Sequence, residues 1–229
     1  MKKIKISSEV AYLIGVLLLA FAVAMITTAD FGVSMVVAPS YILSLKLGFL
    51  TFGQCEYIVQ GILFIIMCIA AKKIKPIYLF SFFTCIFYGA ALDVFRLIPI
   101  FNPNVVPPEN YSLLVRILLF AIAEIFIGIA LSFAFKTYLY PQTNDFFVKC
   151  LSFKYSVNLS TFKRIYDFSF LFLSVAMSLI LFKGFKGIGV GTIILTVVNG
   201  PLIGFFTKLI DKYCEVTPLF KKLEKAFEL

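Results

Sequence analysis

The sequence predicts an all-α, polytopic membrane protein: six transmembrane helices in two inverted three-helix repeats, each with a short interrupted or re-entrant segment. Three observations predict it. Of the 229 residues, 61% are apolar and 14% charged, whereas a soluble domain carries about 25% charged residues. Such a chain has more apolar surface than one water-soluble core can hide. Six stretches reach the roughly 20 apolar residues that a helix needs to cross a hydrocarbon core, at 10–28, 52–71, 76–98, 112–135, 162–182 and 188–210. Lysines and arginines gather beside those stretches on alternate connections.

The first stretch follows Lys2, Lys3 and Lys5 and contains Ala22-Val23-Ala24, which imitates a signal-peptide cleavage site. The apolar run continues through Met25 and Ile26, so a retained first helix is expected. Next come a polar break, Asp30-Phe31-Gly32-Val33-Ser34, and an apolar piece at 34–45 that is too short to span. Stretches two and three complete a first membrane repeat at 1–100. The connection at 101–111 lies in a segment carrying Pro99, Pro103, Pro107 and Pro108. Proline fixes φ and removes donors, so an irregular external loop is expected there.

The second repeat, 112–210, has the same order. A span is followed by a polar break (Pro141-Gln142-Thr143-Asn144-Asp145), a short piece at 143–153, and two more spans. Leu43-Ser44-Leu45-Lys46 matches Leu151-Ser152-Phe153-Lys154, and Gly89-Ala90-Ala91-Leu92 lines up with Asn199-Gly200-Pro201-Leu202. Three spans per half force the second copy to cross the bilayer in the opposite sense, a pattern found in transporters. The tail, 211–229, has Leu219, Phe220, Leu223 and Phe227 at helical spacing. It reads as an amphipathic helix on the inner membrane surface, or alternatively as a partner-docking helix.

Charge placement sets the orientation. With the N-terminus in the cytoplasm, sixteen lysines and arginines fall inside and five outside (Lys46, Arg96, Arg116, Lys183, Lys186). Both termini are therefore expected in the cytoplasm, with the chain in a bacterial inner membrane. The net charge of +9 is explained by this rule, and no nucleic-acid partner is expected. Histidine is absent, which removes the commonest base and metal ligand. Five scattered cysteines form no C-x-x-C pair, so neither a metal nor a disulfide framework is expected. With no G-x-S-x-G and no paired carboxylates, neither an enzyme nor a cofactor is expected.

An ionisable group at bilayer depth costs about 2.5–3.5 kcal/mol, which raises the question of function. Glu124, mid-way along span four, is one such group. It reads as a proton or cation site, as a counter-charge for a substrate, or as a protonated group holding two helices together. Glu56, Asp93 and Asp167 lie nearer span ends, where the interface is within reach. Asp167 also follows Lys163 by four residues, a helical pairing distance. In the first break, Asp30 or Ser34 is positioned to cap the following short helix, and Gly32 permits a sharp turn. A helix N-terminus aimed into the protein suits an anionic or carbonyl-bearing ligand. Asn144 and Asp145 supply the corresponding break in the second half. Asn199-Gly200-Pro201 interrupts span six and frees carbonyls that can line a cavity. Gly187, Gly189 and Gly191 allow close helix approach rather than nucleotide binding, because no strand precedes them.

At these residues the chain resembles the YczE/YyaS/YitT family of bacterial multi-pass membrane proteins. The resemblance rests on Ala29-Asp30-Phe31-Gly32-Val33-Ser34, the segment leading to Leu43-Ser44, and the regions 141–145 and 187–191. It extends to about Asp211. That family's pattern continues after the serine with proline, an aromatic residue and aspartate. Here Met35, Val36 and Val37 stand in those places, whereas the second half keeps Asp145. The resemblance implies a polytopic protein, with some relatives linked to vitamin B6-type regulators, and hence transport of a small metabolite.

The expected function is secondary transport or channelling of a small polar metabolite. Asp30, Gly32, Ser34, Asn144, Asp145 and Asn199 would line the site, and Glu124 would couple or balance charge. The alternative is a membrane scaffold or regulatory protein in which the same residues lock helices together.

Overall fold

A computed structural model describes residues 3–72 and 75–227. Lys2 and Lys73, used in the charge count, lie outside the described residues. A short strand, β1 (Ile4–Ser7), leads into α1 (Ser8–Ala29), where the Ser7 hydroxyl caps the helix by accepting the Val10 N–H at 3.3 Å. After the first break come α2 (Ala38–Leu47) and α3 (Phe52–Ala71). A 3-10 turn at Pro76–Tyr78 runs into α4 (Leu79–Arg96). In the second half, α5 (Leu113–Phe135), α6 (Thr143–Lys154), α7 (Leu159–Phe182) and α8 (Val190–Tyr213) follow, then β2 (Cys214–Thr217) and α9 (Lys221–Ala226).

Six of these helices are long and apolar enough to cross a membrane. The protein is a multi-pass membrane protein. Its outer faces carry side chains that water would not tolerate, such as Ile69, Phe172 and Ile180, all more than 70% exposed. In lipid that exposure costs nothing. The third span stops at Arg96, just short of the expected 98, because Pro99 holds Ile98 in an extended conformation.

Small residues decide which helices approach most closely. The central pair is α1 and α5, where a Cβ on Gly15 would press on the Ala130 carbonyl. Against this pair, α4 packs on α1 and α8 packs on α5. Gly128 lets Leu202 of α8 seat against α5, and the Ser132 hydroxyl donates to the Ile203 carbonyl at 3.0 Å. The helices α3 and α4 cross at Gly53 and Gly89, where the backbones leave no room for a side chain. Between α3 and α7 lie the two short helices, α2 touching both and α6 touching both.

The tail departs from the single amphipathic helix expected over 211–229. Helix α8 runs on to Tyr213, and β2 then pairs in parallel with β1, Ile4 opposite Cys214 and Ser7 opposite Thr217. Alternation and β-branching in Cys214-Glu215-Val216-Thr217 suit a strand, and the matching Ile4-Lys5-Ile6-Ser7 edge is near because both ends emerge on one face. Beyond it, the Glu9 carboxylate accepts the N–H groups of Leu219 and Phe220, each at 3.2 Å. Phe227 is buried edge-on against Phe80 and Tyr140, with centroids 4.9 Å away in each case. The tail is docked on the protein.

Candidate functional site

The first break is a corner locked to the start of α8. Asp30 closes α1 in the left-handed region (φ 54), and Gly32 turns the chain at φ 98. A Cβ on Gly32 would collide with Gly189 N and the Thr192 hydroxyl, so only glycine fits there. Val33 N–H donates to the Gly187 carbonyl (3.1 Å), Gly191 N–H to the Phe31 carbonyl (2.8 Å), and the Thr192 hydroxyl to the Val33 carbonyl (2.7 Å). Arg116 reaches over this corner. Its Nε donates to the Ala29 carbonyl at 2.7 Å and its Nη2 to the Asp30 carbonyl at 3.0 Å. The guanidinium also lies 4.9 Å from the Phe31 ring centroid and 3.6 Å from the Asp30 carboxylate. Burial pushes the Asp30 carboxyl above its ordinary value, while Arg116 and Lys186 pull against that rise.

No side chain caps α2, contrary to the roles expected of Asp30 and Ser34. The Ser34 carbonyl instead accepts from Val37 N and Ala38 N, at 3.0 and 2.9 Å. Helix α2 therefore begins at Ala38, after a turn, and runs to Leu47.

The second break meets a polar turn of α3. Glu56 and Gln60, one helical turn apart, are 1% and 0% exposed. Gln60 Nε2 donates to Glu56 Oε2 at 2.7 Å and to Gln142 Oε1 at 2.9 Å. Gln142 is the N-cap of α6. On α2, Ser40 lies close enough to interact with the Glu56 carboxylate without forming a hydrogen bond of good geometry. The first turn of α2 thus meets Glu56 and the N-cap of α6 meets Gln60, one helical turn apart on α3. Glu56 Oε1, Gln60 Oε1, Ser40 Oγ, Tyr88 OH and Thr143 Oγ1 are all buried and without a hydrogen-bond partner among the described residues.

Asn144 joins this region through Tyr166, whose hydroxyl donates to Asn144 Oδ1 at 2.9 Å. Asp145, its neighbour, turns the other way to Lys163 (3.4 Å), which also reaches Asp167 at 3.0 Å as its helical spacing predicts. Asp145 and Lys163 border a cavity of about 300 Å³ together with Thr137, Pro141 and Lys149.

Glu124 and Asn199 lie elsewhere. Glu124 is buried on α5, facing a cavity shared with α8, and Asn199 is on α8 with its Oδ1 buried and without a hydrogen-bond partner among the described residues. Helix α1 packs on α5 from one side and on α4 from the other, so it separates this region from Glu56. The seven expected residues are therefore dispersed: Asp30, Gly32 and Ser34 at the corner, Asn144 and Asp145 at the start of α6, Glu124 in the α5–α8 cleft, and Asn199 on α8 but not lining that cleft.

Glu56, Gln60, Gln142, Ser40 and Tyr166 were not among the expected site residues. Glu56 looked close enough to a span end to reach water, but α2, α4 and α6 bury it. The sequence signal was the four-residue spacing of Glu56 and Gln60, which puts two polar groups on one face of an apolar helix.

Comparison with known families adds a frame for this geometry. The DUF6198 family, described as a family of unknown function, matches residues 6–208. The chain belongs to the DUF6198 family. That match takes in both breaks, the Glu56–Gln60–Gln142 network and Glu124, and it ends within α8. Neither a curated protein nor a solved structure matches this DUF6198 chain.

Proposed function

We propose that this DUF6198 protein is a secondary transporter or channel for a small polar solute, with its site at Glu56, Gln60, Gln142, Ser40, Asn144 and Tyr166. One observation carries the reading. A fully buried carboxylate and amide meet the starts of two short helices, and neither Glu56 Oε1 nor Gln60 Oε1 has a hydrogen-bond partner of good geometry among the described residues. A group of that kind within the membrane costs free energy unless a proton, a cation or a hydrogen-bond donor satisfies it. Short helices that end near the midplane are where transporters hold their solutes. Glu56 is the proton or cation acceptor, and Gln60 and Gln142 orient the solute. The cavity beside Asp145 and Lys163 is its approach.

The inverted-repeat reading draws support from matched packing. Helix α4 lies on α1 as α8 lies on α5, and α2 meets α7 as α6 meets α3. The departure is informative too: α3 and α4 pack closely, whereas α7 and α8 share no comparable interface among the described residues. One half closed and the other open is what alternating access between inverted halves requires. Lys3 and Lys5 at β1, Lys212 just before β2, and Lys136, paired with Asp211, gather at the end that carries the paired strands, which supports termini in the cytoplasm. The resemblance to YczE-type proteins points to the same function.

Uptake into proteoliposomes, screened over vitamins and amino acids, tests the proposal. The expected result is accumulation of at least one solute by the wild type and its loss in Glu56→Gln. The complete burial of Glu56 and Gln60 favours a second reading, a scaffold in which this network fastens α2, α3 and α6 together. Equal behaviour of wild type and Glu56→Gln for every solute would select that reading.

A further inference from the structure

Glu124 takes no part in the Glu56 network, and its surroundings are of a different kind. It sits at the centre of the 23-residue α5, 6% exposed, with neither carboxylate oxygen hydrogen-bonded among the described residues. Beside it is a cavity of about 600 Å³ between α5 and α8, and every other side chain bordering it is apolar, Phe120, Ile194 and Leu202 among them. The rim belongs to the lipid-facing surface, since Ile117, Ile125 and Ile194 are each more than 40% exposed. The cavity therefore opens sideways into hydrocarbon.

We infer that this cavity binds a lipophilic primary amine arriving from within the bilayer, its apolar body against α5 and α8 and its protonated nitrogen on Glu124. The size falls in the range of small-molecule sites, about 300–1,000 Å³. Apolar walls supply affinity without selectivity, so the one carboxyl sets the chemistry. In hydrocarbon an ionised carboxylate is stable only beside a cation, and a neutral analogue of the amine cannot provide one. Depth selects the source of that cation. Eleven residues at 1.5 Å each place Glu124 about 16 Å from the start of α5, close to the middle of a bilayer about 30 Å thick. A phospholipid amine is anchored at the interface by its phosphate and does not reach that depth, whereas a long-chain amine reaches it as the uncharged base and takes its proton there from the Glu124 carboxyl group, leaving an ammonium–carboxylate pair. This site is independent of the transport reading.

The test uses the full-length protein in nanodiscs with two photoreactive probes, a diazirine-bearing long-chain primary amine and the matching alcohol. Labelled peptides are mapped by mass spectrometry. The wild type is expected to show saturable labelling on α5 and α8, with the amine favoured over the alcohol by about tenfold, equivalent to about 1.4 kcal/mol. Glu124→Gln should abolish that preference, and Ala121→Phe, which fills the cavity from its exposed edge, should remove labelling by both probes. Glu56→Gln should label like the wild type, whether or not it transports. Equal labelling of wild type by amine and alcohol, or a preference that survives Glu124→Gln, would overturn the inference. So would full labelling of Ala121→Phe.

Discussion

Gln60 and Gln142, 82 residues apart in the chain, are joined side chain to side chain at 2.9 Å. The bond ties the polar turn of α3 to the N-cap of α6, and the other Gln60 amide hydrogen goes to Glu56. Replacing Gln60 by Leu keeps the volume and leaves Glu56 Oε2 and Gln142 Oε1 without a donor. Interhelical hydrogen bonds in membranes contribute about 0.6–2 kcal/mol. The expected outcome for Gln60→Leu is a loss of that size, measured by denaturant titration of the purified protein.

The corner at Gly32 predicts a contrast between two glycines. Both Gly32 and Gly48 have positive φ, but a Cβ on Gly48 meets nothing within 4 Å, whereas one on Gly32 strikes the start of α8. Gly48→Ala should cost only the backbone strain, about 1 kcal/mol. Gly32→Ala should lose the folded protein, seen as a collapse of the monodisperse peak in size-exclusion chromatography.

Arg116 predicts a pH dependence. Burial raises the Asp30 carboxyl and Arg116 opposes that rise, so Arg116→Gln leaves the carboxyl further raised. A group whose folded-state value is raised contributes its stability below the ordinary carboxylate range and loses it as pH climbs through the folded value. Relative to wild type, Arg116→Gln should therefore be more destabilised at pH 7 than at pH 4. Thermal unfolding at the two pH values checks this, and an equal deficit at both would count against the ion pair.

Strand pairing at the chain ends is open to a cross-linking experiment. Ile4 lies opposite Cys214 in the parallel ladder. In a chain whose Cys55, Cys68, Cys85 and Cys150 are replaced by Ser, Ile4→Cys should form an oxidised cross-link with Cys214. Lys46→Cys in the same background, distant from the strands in the chain and packed near α7 through Leu181, should not.

Local pattern made the helices legible, because apolar length and polar breaks are written residue by residue. The expected 143–153 became Thr143–Lys154, and 52–71 became Phe52–Ala71. Helix α2 begins four residues later than expected because backbone bonds from Val33 and Phe31 to the Gly187–Gly191 stretch hold the corner out of the helix. Those partners are more than 150 residues away and no local spacing announces them. The strand at Cys214–Thr217 was hidden for the same reason, since its edge comes from residues 4–7. Little of the candidate site was legible. Asn144 belongs to it, but the burial of Glu56 depends on three helices from different parts of the chain, and α1 keeps Glu124 apart.

Cysteine accessibility at Gln142 tests the central claim most directly. In a background whose native cysteines are replaced by Ser, Gln142→Cys is treated in sealed proteoliposomes with a membrane-impermeant thiol reagent. If the Glu56–Gln60–Gln142 network is the transport site, the cysteine is labelled and an accumulated solute slows the labelling. A folded Gln142→Cys protein that stays unlabelled from both faces, with and without solute, would contradict the account.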